Sequence, residues 1–283
     1  MPQVYPPLRI DPPSVERALG GLYSVAPPQD GPGEGNRWEN GVEYQAETCA
    51  DPTTWAVTCG TDNARLPKAS TLELPTVTGT PFVAYLGILC TKVGYTFEEF
   101  ARLTRNGLDI CEQRAVERTF WTGDMGNDPH LADPTTTILA NSDVTPLGVL
   151  QGVAALESWL GDNYCGVGVL HAPRGLSPYA ANFQLIRGTG ARLTTPLGTR
   201  WAFGSGYSVN TGPDGTPAPD GSAWIYVTGQ VNVWRSAIWM QPDELEQSFN
   251  RTTNDVEMFA ERAFVITTEC TVAAVRVRLD CTC

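Results

Sequence analysis

The 283 residues predict an α+β fold. Three observations carry that reading: apolar side chains recur near the helical period over residues 95–123, the second half of the chain breaks into short strand-like alternations, and helical segments precede strands instead of alternating with them. A proline-rich opening and a turn-bounded, weakly apolar stretch lie in front of both.

Residues 1–35 hold eight of the 22 prolines, in pairs at 6–7, 12–13 and 27–28, followed by GPGEG at 31–35. Proline lacks an N–H and fixes φ, so an extended arm is expected, with only residues 15–26 (Leu19, Leu22, Val25) able to form a short docking element. Such an arm adds little to a core, and its removal is expected to leave the body folded. VEYQAET (42–48) and TWAVTC (54–59), joined across Ala50-Asp51-Pro52-Thr53, alternate as an antiparallel hairpin does and have few large apolar residues, so they would project. PFVAYLGILC (81–90) reads as a helix. The next helix is the best-marked element of the chain. Thr96 stands as N-cap before Glu98 and Glu99, apolar positions follow at Phe97, Phe100/Ala101, Leu103, Leu108, Cys111, Ala115 and Phe120, and Gly123 closes it. Glu98, Glu99, Arg102, Arg105, Glu112 and Arg118 are expected on its charged face.

After GDMGNDPHLADPTTT, Thr145 as N-cap and Pro146 in the first turn predict a third helix with Leu147, Leu150, Val153/Ala154 and Leu160 as its stripe and Gly161 as its end. A strand at 166–172, a short helix near 178–185 and strands at ARLTT, TRWAFGSG, AWIYVT, VNVWRS and TVAAVRVRL follow, with the turn-rich insert TGPDGTPAPDG at 211–221.

Composition narrows the function. A content of 42% hydrophobic residues suffices for a core, and a formal charge of -12, from 31 acidic against 19 basic residues, argues against a surface that grips phosphate backbones. No apolar run approaches the ~20 residues that span a bilayer, and the start lacks a basic head followed by an apolar run, so a soluble chain with no membrane partner is expected. Eight scattered cysteines are not a small disulfide scaffold. Cys90 and Cys111 are expected as buried small hydrophobes, whereas Cys49 and Cys59 could pair across the hairpin and Cys281 or Cys283 could reach a neighbour.

The motifs of catalysis are missing. There is no GxSxG and no GK[ST], and Gly166-x-Gly168 lacks the third glycine of a dinucleotide fingerprint. Without a CxxC, and with neither histidine at ligand spacing from a cysteine, zinc is not expected. His171 could be a general base but is better read as a strand-end histidine bonded to backbone. Glu98/Glu99, Glu112/Glu117 and Glu244/Glu246 fit charged faces better than acid/base dyads, and Asp214-Gly215 and Asp220-Gly221 fit hairpin turns better than calcium loops. No catalytic, cofactor or metal residues are assigned, and no cofactor is expected. Trp38 and Trp55 lie where little core can form, and trypophan and arginine are enriched at subunit contacts, so Trp38, Trp55, Arg65, Glu112 and Arg118 are the candidates for such contacts. Trp121 is expected in the core.

The order of these parts resembles one family. The arm, the hairpin, the long helix ending in Val116-Glu117-Arg118 and Phe120-Trp121-x-Gly123, Leu193 to Thr199 before Trp201 to Gly206, and the late segment Phe249-Asn250 to Leu279, with Val256-Glu257, Ala260-Glu261-Arg262 and Val272 to Val275, are similar to the tailed-phage major capsid proteins and the encapsulins, which share one shell fold. The resemblance implies an extended arm (1–37), a projecting hairpin loop (38–78), a peripheral domain (79–144 and 241–283) with spine helix 96–122, and an axial domain (145–240). It implies a structural subunit of a bacteriophage head, forming an icosahedral capsid around double-stranded DNA without sequence-specific binding. Its partners would be itself in pentamers and hexamers, a portal, and scaffolding or decoration proteins, in a virion assembled in the host cytoplasm. Another virion structural protein, an encapsulin-like shell or an unrecognised enzyme are the alternatives.

Overall fold

A computed structural model describes residues 13–31, 35, 37–47, 49, 52, 54, 75–91, 96–242, 249–250, 252–253, 255–269 and 272–280. The helices are α1 (Leu22–Val25), α2 (Phe97–Thr122), α3 (Val149–Asn163) and α4 (Ser177–Asn182). The strands are β1 (Gln29–Asp30), β2 (Val42–Gln45), β3 (Thr76–Gly79), β4 (Pro81–Thr91), β5 (Thr137–Ile138), β6 (Leu147–Gly148), β7 (Val169–Pro173), β8 (Arg200–Gly204), β9 (Ser222–Thr228), β10 (Val231–Arg235), β11 (Trp239–Gln241), β12 (Phe249–Asn250), β13 (Asp255–Thr268) and β14 (Ala273–Arg278). Among the described residues they form two larger sheets and a ribbon. The first sheet runs β1-β10-β13-β11, with β12 and β4 also on β13; the second runs β5-β14-β9-β7-β8, with β6 on β14; β2 and β3 make the ribbon.

Helix α2 begins and ends where its capping residues dictate. Thr96 and Glu99 form a reciprocal capping box, the Glu99 N–H reaching Thr96 Oγ1 at 3.2 Å and the Thr96 N–H reaching Glu99 Oε2 at 2.7 Å, and Gly123 stops the helix in the left-handed region at φ 66°. Its 26 residues span roughly 39 Å at ~1.5 Å per residue. It packs on β4 and β13 of the first sheet. Gly107 permits the close approach, since a Cβ there would stand 2.6 Å from Leu86.

The segment 81–90, expected as a helix, is instead strand β4, antiparallel to β13 from Phe82↔Phe264 to Ile88↔Met258. Phe82 and Ala84 are buried, while Val83, Tyr85 and Leu89 on the opposite face are exposed. Both faces carry apolar residues, which erases the period-2 signal and leaves a run that also matches a helix. The expected pairing of 42–48 with 54–59 differs as well: β2 pairs with β3, Val42↔Gly79 through Gln45↔Thr76, and most of 54–59 lies outside the described residues.

Helix α3 starts later and ends later than its sequence signals suggest. Residues Leu147 and Gly148 pair with Val277 and Arg278 of β14, Gly148 becomes the N-cap, and the helix continues past Gly161 to Asn163. Leu150, expected in the stripe, is exposed. Strand pairing supplies backbone hydrogen bonds to residues that a helical first turn would leave without partners.

Sheet membership does not follow a cut at residue 240. Strands β10 and β11 belong to the first sheet with α2, whereas β14 belongs to the second, against α3. One core gathers Phe120, Trp121, Leu131, Tyr207, Tyr226 and Phe264; the other packs Val153, Leu156 and Leu160 of α3 on Trp201, Ile225 and Val275. Trp121 is fully buried, as expected, and its indole N–H reaches the Thr211 carbonyl at 3.0 Å.

Candidate assembly surfaces

The inner face of α2 carries two buried carboxylates where a charged outer face was expected. Glu117 is fully buried and acts as a knot: Oε1 accepts the Leu22 N–H at 2.9 Å and the Gln113 amide at 2.8 Å, while Oε2 accepts the Gly206 N–H at 2.9 Å. Gly21 is required there, because a Cβ would fall 2.2 Å from both Gln113 and Glu117. Glu112 accepts from Arg262 at 2.7 Å and Arg235 at 3.1 Å, two cations that β13 and β10 bring together from distant sequence positions. Burial pushes the Glu112 carboxyl up from its ordinary value, against the pull of Arg262 and Arg235.

The knot ties residues 20–30 to the body of the chain, within the stretch to residue 37 where an extended arm with a docking element at 15–26 was expected. Leu22, Val25 and Ala26 are buried in the first core. The Gly20 carbonyl accepts the Phe203 N–H at 2.7 Å, and β1 adds to the first sheet in parallel with β10. Residues 13–19 remain exposed along α2, tethered by an Arg17–Asp109 ion pair. Residues 1–12 lie outside the described residues.

His171 is likewise part of the core. It is fully buried with Nδ1 3.0 Å from the Tyr207 hydroxyl and Nε2 3.0 Å from Thr228 Oγ1. Thr228 donates its hydroxyl to the Gly229 carbonyl, so it accepts from Nε2–H, and Nδ1 accepts from Tyr207. Both nitrogens are thus engaged by side chains, not by backbone. Desolvation holds the imidazole neutral, with its pKa lowered to about 3.

The five residues expected at subunit contacts separate. Trp38 is buried, its indole against Gly31 of the same chain, and Glu112 is satisfied by its two arginines, so both serve the interior. Arg118 is exposed, 3.9 Å from Asp124. Trp55 and Arg65 lie outside the described residues. Cys111, expected to be buried, is exposed and free, as is Cys165; the helix turns Glu112 inward and Cys111 outward. Cys49 is disulfide-bonded.

The surfaces left open are elsewhere. Val83, Tyr85 and Leu89 project from the face of β4 away from α2, at 49%, 68% and 68% exposure. Phe259 of β13 covers Gly87 between them, with its ring 6.4 Å from that of Tyr85. Among the described residues β4 pairs only with β13, and none pairs its other edge. An apolar strand face beside a strand edge that no described residue pairs is a candidate docking surface. The ribbon β2–β3 stands as a separate two-stranded sheet. It is tied to β13 by the Tyr44 hydroxyl on the Thr268 carbonyl at 2.7 Å, and the Ala46 N–H on the Pro75 carbonyl at 2.9 Å extends its own ladder. No helix among the described residues is long and apolar enough to cross a membrane.

No protein-family model and no curated protein matches the chain by sequence. Solved structures do match over nearly its whole length. A chain from Mycobacterium phage Bobi is 11% identical, with 96% of this chain and 95% of that chain covered at a TM-score of 0.57. A chain from the capsid of the native GTA particle is 12% identical over 97% of this chain and 95% of its own, at 0.56. One from Mycobacterium phage Ogopogo is 16% identical over 96% of each chain, at 0.54. Agreement over entire chains at such low identity is agreement of architecture, and it shows that this chain shares the fold of these phage and GTA-capsid chains.

Proposed function

We propose that the chain is the structural subunit of a bacteriophage head, which self-assembles through pentamers and hexamers into an icosahedral capsid enclosing double-stranded DNA. The observation that carries this is the full-length likeness to the capsid of the GTA particle, in a molecule that also presents an apolar strand face and a ribbon. The acidic charge of -12 suits a container that packs and releases DNA without binding it tightly. His171 and Glu112, the buried titratable groups that a catalytic reading would use, are spent on internal bonds, which supports a non-enzymatic role. A portal and scaffolding or decoration proteins would be its partners in the virion.

Electron microscopy of the purified chain tests the reading. Rings of five or six and closed particles are expected. A second variant, with Gln45 joined to Thr76 through an Asn-Gly turn, keeps the register of the ribbon base and removes the chain between. It should stay folded and form no particles. A parent chain that remains monomeric at high concentration and binds only to preformed shells would overturn the proposal.

A further inference from the structure

The loop that follows α2 places Asp128, His130 and Asp133 around one point, with one donor atom from each lying within 4.8 Å of the others. The loop is held rigidly. The Leu131 and Ala132 N–H groups each reach a carbonyl of the last helical turn at 2.9 Å, those of Phe120 and Trp121, and the Asn127 amide reaches the Thr119 carbonyl at 3.1 Å. The His130 ring is set by packing on Gly123. Its Nδ1 is buried without a hydrogen bond, and Nε2 stands 3.8 Å from Asp133 Oδ2, beyond bonding distance. Asp133 spends Oδ1 on the Thr135 N–H and hydroxyl, at 2.7 and 2.5 Å, leaving Oδ2 toward the ring. Nδ1 is thus an unsatisfied buried atom, and Nε2 is the ring nitrogen that faces the Asp133 carboxylate.

We infer that Asp128, His130 and Asp133 form a divalent-cation site of the manganese or zinc class at the hinge of the ribbon. Two carboxylates and one imidazole are the donor set of a first-row cation, since magnesium and calcium favour oxygen donors alone. The Asp128 side chain is exposed, so it is free to turn toward the shared point. Water completes the shell from the open cleft of about 440 Å³ that these residues share with Thr76, Val77 and Thr78 of β3. Asp128 is tied to the ribbon by its own N–H on Thr80 Oγ1 at 2.6 Å and by its carbonyl accepting the Thr80 N–H at 2.8 Å. A bound cation therefore links the ribbon base to the end of α2 and favours one ribbon orientation. The D-x-H-x-x-D pattern is legible in the sequence, although neither histidine stands at ligand spacing from a cysteine.

Titration calorimetry of the unassembled full chain with manganese chloride and zinc chloride tests the site independently of the shell reading. One cation per chain is expected. Asp128→Asn, Asp133→Asn and His130→Gln should each weaken it by at least the ~10-fold that even a lost outer partner costs, with Asp124→Asn as the unaffected control. If Asp133→Asn misfolds because Asp133 also caps Thr135, the exposed Asp128→Asn decides alone. Absence of binding heat with both cations, or equal affinity in the parent and Asp128→Asn, would overturn the site and leave the unbonded histidine to water.

Discussion

Leu22→Ala decides whether the N-terminal segment belongs to its own subunit. Leu22 has no exposed surface and sits in the first core, one residue from the Gly21 contact with Glu117. The substitution removes three carbons worth about 0.8 kcal/mol each on transfer from water, and the cavity term brings the loss to about 3 kcal/mol. For a chain of 283 residues that is a fall in melting temperature of about 5 °C. The assay is thermal unfolding at a concentration where no particles form, so that neighbours cannot contribute. Leu19→Ala is the internal control, because that side chain is 56% exposed and should change stability by less than about 0.5 kcal/mol. A Leu22→Ala chain that melts with its parent yet fails to assemble would refute the reasoning. It would mean that residues 20–26 dock on an adjacent subunit, the arrangement a proline-rich arm suggests on its own.

Glu112→Gln leaves Arg235 and Arg262 without their buried counter-charge and should destabilise the subunit by roughly 3–5 kcal/mol in urea unfolding; melting together with the parent would rule the cluster out as a structural centre. His171 gives a pH dependence. Its folded pKa is depressed to about 3 from the ordinary 6.5, so its contribution is whole above pH 6.5 and is lost as pH falls toward the folded value. The loss at pH 5 is about 2 kcal/mol, and His171→Gln should flatten the stability profile of the parent by that amount between pH 6.5 and 5. Equal slopes would mean that the ring is not desolvated. Val83→Thr with Leu89→Thr keeps strand-forming residues on the exposed face of β4. Stability should shift by no more than about 1 kcal/mol, while particles seen by electron microscopy are lost; normal particles would show that this face is free in the shell.

The helix α2 was legible because everything that makes it lies within itself: the capping box at Thr96 and Glu99, the recurrence of Phe100, Leu108 and Phe120, and a glycine that can adopt positive φ. Strands β8, β9, β10 and β14 were legible for similar reasons, each being a short apolar run between turn residues. The candidate contacts were less so. Trp38 and Glu112 were placed on a surface because an unpaired hairpin and a charged helix face are the local expectation, and the structure uses both inside. The exposed apolar face of β4 was hidden by its own composition. An apolar residue on each side of a strand looks the same, in one dimension, as a buried helix.

The sequence by itself determined which segments are regular, that the chain is acidic and lacks catalytic motifs, and the order of parts that resembles a phage shell subunit. Those properties depend on residues near one another or on totals over the chain. Only the tertiary structure decided that 81–90 is a strand, since its pairing partner β13 lies at 255–268. The same is true of Glu117, which needs Leu22 and Gly206 from opposite parts of the chain to become the knot that anchors the N-terminal segment. Burial and strand pairing are set by which distant residues meet, and a linear pattern records only what each segment can offer.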